Sequence, residues 1–349
     1  MRRIVAHKLK WDEEGVASTV GTIMALLVFL SFLSLIVNSY VPVWMKEAES
    51  SHMNVAYGQF GDLKASIDQG ILFASMSQLA GQHYIPVTTF TPITLGVDGV
   101  PIFSAPTLGE LVADQNAGAS NSWFTYFPSK FSNKPALVNE TAQGSVVLRV
   151  FNRYFISQNL IYENGAVIKE QGDGMILRAE PTFEVRIVNN TEQITVGMVS
   201  LLGYGTMQGT TTEGIHSKVV SVSTEEYSRV RTDVFLNLTG RRGLAWYGFY
   251  NATLNKAFGI TPDKYKGCPN DYCYNVVKVG PNIIDQTIQS PYFKIRVQLN
   301  KTSLDYTLVV QLKNDYDNSK LVTMPIATLR VQKAIVNMAV GGLGALVDI

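Results

Sequence analysis

At 349 residues the chain is long enough for one large domain or two ordinary ones, and its 46% hydrophobic content allows a sizeable core. Formal net charge is +1 and only 16% of residues are charged, against about a quarter in an average protein. With no basic stripe, nucleic acid is excluded as a partner; Ser, Thr, Asn and Gln stand where surface charge would be.

Residues 1–15 form a short leader carrying Arg2, Arg3, Lys8 and Lys10, followed by Asp12, Glu13 and Glu14. From Gly15 to Met45 no side chain is charged; Glu14 and Lys46 close the run. A bilayer core takes about 20 apolar residues as helix, so a transmembrane helix is expected over 16–45. The Lys and Arg excess on the short side predicts a cytoplasmic N-terminus and an extracellular C-terminal part. Carboxylates count little in that rule. The run is about twice the apolar core of a secretory signal and ends without a small-residue cleavage pattern, so removal after it is not expected. Tyr40 and Trp44 suit the membrane–water interface at its far end.

Beyond Pro42 the pattern stays helical but becomes amphipathic. Met53, Ala56, Phe60, Leu63, Ile67 and Ile71 recur at spacings of three and four, which predicts a stalk helix over 46–82 with one packed face. Glu49, Gln59, Asp62, Lys64 and Asp68 are expected on the opposite faces. The helix is predicted to end near Gly81 and to weaken near Gly58, Gly61 and Gly70. The stripe suits packing on the chain's own domain, with helix–helix assembly as the alternative.

From about Tyr84 the hydrophobic period becomes two. Strands are expected at 87–95, 145–155, 183–187, 195–201, 219–223, 232–238, 274–279, 292–300, 305–312 and 328–333, with one helix at 244–257. Many short strands without alternating long helices predict a mainly β fold. The expected ectodomain over 83–349 is an antiparallel β-sandwich or jelly roll, as one body or as two dividing near 175.

Cys268 and Cys273 are the only cysteines; in an oxidising compartment they would close a small disulfide loop. A zinc site would need two further soft ligands, and none lies near in sequence, so no metal is expected. Asn139, Asn189, Asn237, Asn251 and Asn300 each begin an N-x-Thr sequon, making them candidate N-glycosylation acceptors. Asn237 and Asn300 alternate with apolar neighbours and are placed on wet strand faces. His7, His52, His83 and His216 are widely separated, and no hydrolase, zincin, nucleotide-loop or dinucleotide motif occurs. No carboxylate pair forms an acid–base constellation, Asp315 and Asp317 lack the EF-hand pattern, and neither enzyme activity nor a cofactor is expected. Aromatic clusters at Trp123, Phe124, Tyr126 and Phe127, and at Trp246, Tyr247, Phe249 and Tyr250, are read as caps on the open ends of the β body; sugar stacking or adhesion is the alternative.

The charged leader, Gly15, and the long apolar helix interrupted by Pro42 resemble the class III signal of archaeal type IV pilins and archaellins. Segments 43–53, 165–172 and 179–181 are similar to a group of archaeal pilin-like membrane-anchored surface proteins. The resemblance implies a cut after Gly15, leaving Val16 as the mature N-terminus. The family has Lys or Arg just before the small residue; here Glu14 stands there, so cleaved and uncut forms both remain open. The chain is also longer than a principal pilus subunit. The implied function is a cell-surface structural protein, a pilin-like subunit or minor filament component. Its partners are then the membrane and identical or related subunits through the N-terminal helix. The alternative is a permanently anchored binding module facing a glycan, a cell-wall layer or a partner protein.

Overall fold

The computed structural model describes residues 13–100, 103–126, 134–260, 273–278, 284–300, 302–315 and 324–341. One helical rod opens the fold: α1 (Glu13–Leu35), a π-turn (Ile36–Tyr40) and α2 (Val41–Leu79) follow without a break. Proline explains the π-turn. Pro42 has no N–H to donate to the carbonyl four residues back, and its ring crowds that carbonyl. The ladder widens just before it, with the Val41 N–H donating to the Ile36 carbonyl five residues earlier.

α2 stays helical through Gly58, Gly61 and Gly70 and ends two residues before Gly81. All six residues of the predicted stripe are buried, each worth about 1.5–3 kcal/mol for a large apolar side chain. Glu49 departs from expectation: it is fully buried. It lies four residues after Met45 and four before Met53, so it belongs to the stripe rather than to the wet face.

Two curled sheets make up the β body. The first holds five strands in the order β1 (Thr88–Thr94), β10 (Thr212–Ser228), β16 (Ile326–Val340), β8 (Thr191–Leu202) and β7 (Phe183–Val188). The second runs β12 (Cys273–Lys278), β13 (Ile284–Gln289), β14 (Phe293–Leu299), β15 (Tyr306–Leu312), β11 (Val234–Gly240), β2 (Gly109–Tyr126), β3 (Ala136–Val150), β4 (Gln158–Glu163), β5 (Ala166–Gln171) and β6 (Gly174–Ala179), with β9 (Tyr204–Gly209) also paired to β2. Strands from both sides of residue 175 occupy each sheet. Pairing is antiparallel except between β16 and β8, which run parallel.

There are two apolar cores. α2 packs on β1, β10, β4 and β5, and its stripe shares one core with Ile93, Leu111, Leu148, Tyr162 and Val336. The second core lies under α3 (Gly243–Ala257), the helix expected at 244–257, and holds Trp246, Phe249, Leu254, Phe293 and Val310. The long strands β3, β8, β10 and β16 contribute to both cores, which welds the two regions into one body.

The aromatic clusters are largely core. Phe124, Trp246, Phe249 and Tyr250 are buried, and Trp123 stacks on Phe235 with centroids 4.2 Å apart. Phe127 lies outside the described residues.

Candidate membrane and assembly interface

Residues 18–40 of the uncharged run are the uncovered part of the rod. Val20, Ile23, Leu26, Phe29, Phe32 and Leu35 are all exposed, although they point to every side of α1. Ser18 to Trp44 would extend about 40 Å at helical rise, against about 30 Å of bilayer hydrocarbon. This N-terminal helix is long and apolar enough to span a membrane. Polar side chains within it bond inside the helix, as an apolar surrounding requires. Thr22 Oγ1 donates to the Thr19 carbonyl (2.8 Å), Ser31 Oγ to the Leu27 carbonyl (2.8 Å), and Asn38 Nδ2 to Ser34 Oγ (3.0 Å). Tyr40 and Trp44 follow at the end of the run, both exposed, with ring centroids 6.0 Å apart.

Immediately beyond these rings the helix is fastened to the β body. Val41 and Met45 are buried. Glu49 Oε1 accepts hydrogen bonds from the Thr107 hydroxyl (2.6 Å) and the Arg153 N–H (3.0 Å), and Oε2 from the N–H groups of Tyr154 (2.9 Å) and Phe155 (2.6 Å). Burial pushes the Glu49 carboxyl up, but these four donors outweigh it and hold the group below its ordinary value. One turn on, His52 Nε2 donates to the Thr94 carbonyl at 2.9 Å. Burial drives its pKa down, opposed by that bond and by Glu49; Nδ1 is left buried and without a partner. Gln59 completes the fastening: its Nε2 donates to Thr94 Oγ1 and its Oε1 accepts the Thr94 N–H. The bare helix therefore leaves the domain from a hydrogen-bonded seat.

Compared with known proteins, the chain matches no family model, no curated protein and no solved structure.

Gly15 and Val16 fall in the first turn of α1, so the Gly15–Val16 peptide is helical in this structure. Cys268 lies outside the described residues and Cys273 opens β12. Asn139, Asn189 and Asn300 are exposed. Asn237 is half-buried with its Oδ1 unpartnered, and Asn251 Oδ1 accepts a bond from Asn255 within α3. Asp315 is buried, Asp317 and His7 lie outside the described residues, and the His216 ring sits tilted against Phe90 with centroids 5.2 Å apart. Among the described residues no three His, Cys, Asp or Glu side chains gather as a metal site. The Glu49 seat was missed by sequence reasoning, although the Met45, Glu49, Met53 spacing signals a carboxylate inside an apolar stripe.

Proposed function

We propose that the chain is a cell-surface structural protein, a pilin-like subunit or minor filament component that is anchored, or assembled with other subunits, through α1. The observation that carries this reading is a helix apolar on all faces and, over residues 18–40, uncovered by any described residue, prolonged without a break into a helix seated in the β body. Such a rod stands in a bilayer before assembly and against other rods after it. The basic leader supports a cytoplasmic N-terminus with the β body outside. An exposed apolar surface at the far end of α2, with Phe73, Met76, Ile85 and Val87 around a cavity of about 670 Å³, supports contact with neighbouring subunits.

Mapping the mature N-terminus of the membrane-bound protein by mass spectrometry is the test. Val16 at the N-terminus supports processing, and recovery of the protein in purified filaments supports assembly. Peptides beginning only at Met1 would sink the processed-subunit reading and leave the permanently anchored binding module.

A further inference from the structure

β2 changes neighbours part-way along its length. One edge pairs with β9 as far as Asp114 and with β11 only from Ala119; the pairing with β3 on its other edge skips the same residues. Gln115 to Gly118 thus bulge out of the sheet. Bulges of this kind re-aim side chains beside binding sites.

A cavity of about 470 Å³ opens at this bulge, walled by β2, the segment 239–242 leading into α3, Ser145 and Arg149 of β3, and Asp305 before β15. Its size lies within the roughly 300–1,000 Å³ usual for small-ligand sites. Two glycines with positive φ, Gly118 and Gly240, lie in its wall. Gly118 has φ +61, and a Cβ there would stand 2.7 Å from the Glu163 carboxylate; a Cβ on Gly240 would come 3.4 Å from Gly118 Cα. Beneath them Glu163 is fixed from two sides. Trp246 Nε1 donates to its Oε1 at 3.1 Å, and Arg242 Nη1 lies 3.5 Å from its Oε2.

The lining holds hydrogen-bonding capacity that the protein leaves unused. Among the described residues Asp114 accepts only the Asn116 N–H, through Oδ1. The Asp305 carboxylate and the Arg241 guanidinium share the cavity without pairing, and neither has a side-chain partner among the described residues. Ser145 Oγ and Arg242 Nε are buried with no partner. Those two atoms are closed off even from water, so the groups a ligand in the cavity can use are Asp114, Asp305 and Arg241 of its lining. Charge selects its class. Arg149, Arg241 and Arg242 oppose a cation, Asp114 and Asp305 oppose an anion, and Arg149 and Arg242 are already partnered by Glu110 and Glu163. An uncharged ligand bearing many hydroxyls meets both demands, since each hydroxyl donates to a carboxylate and accepts from a guanidinium.

We propose that this cavity binds a neutral saccharide, the end of a glycan chain, held by Asp114, Asp305 and Arg241. The site is independent of whether α1 remains in a bilayer or enters a filament. The full chain in lipid nanodiscs, free of sugar-headed detergent, is titrated by saturation-transfer NMR with glucose, galactose, mannose, N-acetylglucosamine and their disaccharides. Sodium sulfate and calcium chloride, titrated by isothermal calorimetry, serve as charged probes. Expected is saturable binding of at least one sugar, weakened at least about tenfold by Asp305→Ala and by Arg241→Ala, each of which removes a charged hydrogen-bonding group. Arg186→Ala, on the remote strand β7, leaves it unchanged. Because neither Asp305 nor Arg241 has a side-chain partner among the described residues, their variants keep the native melting temperature without sugar. No binding by any sugar of the panel, equal binding in both cavity variants, or saturation by sulfate or calcium alone overturns the proposal.

Discussion

Glu49 and Glu192 are both fully buried carboxylates, and their surroundings push them in opposite directions. Four hydrogen bonds hold Glu49 below its ordinary 4.5 despite burial. Glu192, at the head of β8, has no partner for either oxygen, and burial alone raises it to about 8. For Glu49 the unfolded chain binds more protons below pH 4.5. Its stabilisation is therefore complete above that value and is lost as pH falls through the depressed folded pKa. For Glu192 the folded chain holds the extra proton between 4.5 and about 8, so stability falls with rising pH across that window and levels off above it. Urea unfolding of native protein and variants over a pH series tests both. Glu192→Gln should lessen the decline by at most about 1.4 kcal/mol per pH unit, while Glu163, also raised by burial, keeps part of the slope. Glu49→Gln should weaken the acid-side loss and cost about 2 kcal/mol or more near neutral pH, because an amide nitrogen then faces N–H donors. An unchanged slope in Glu192→Gln would show that the buried carboxylate is not the group titrating.

At the scale of elements, α2 shows how a glycine's meaning depends on what the helix lies against. Gly58 and Gly61 face open space, whereas a Cβ on Gly70 would stand 2.7 Å from Val219 Cγ2 on β10. Gly58→Ala and Gly61→Ala should each raise stability by about 0.5–1 kcal/mol. Gly70→Ala should lower it by about 1–3 kcal/mol through overpacking. Thermal unfolding of the three variants checks this, and a stabilising Gly70→Ala would mean that α2 does not sit on β10 as closely as described. The amphipathic stripe of α2 was legible because six apolar residues keep the helical period, and β14 because Phe293, Ile295, Val297 and Leu299 keep the period of two. β2 was not legible. Its middle, rich in Ala, Asn, Ser and Gly, has poor strand propensity and is held extended by pairing with β3, β9 and β11. The parallel pairing of β8 with β16 joins segments more than 100 residues apart, which no local pattern reveals. The cavity was hidden for the same reason, since its walls come from β2, β3, the approach to α3 and the loop before β15.

For the whole molecule, the helical stretch Ser18–Leu79 divides into a bare half and a seated half, and the boundary is sharp. Tyr40 is exposed while Val41, the next residue, is buried. That boundary should behave as a physical seam. A chain beginning at Val41 keeps every buried residue of α2, so it should stay soluble without detergent, sediment as a monomer and retain native unfolding behaviour. A chain beginning at Ser50 loses Val41, Met45 and Glu49. It should be less stable by at least about 3 kcal/mol, combining two apolar side chains at about 1.5 kcal/mol or more each with the donors left by Glu49. Sedimentation and urea unfolding of the two truncated chains separate these outcomes. Aggregation of the chain beginning at Val41 would mean that residues 18–40 cover the folded body rather than stand clear of it, and the reading of α1 as a membrane and assembly element would fall with that result.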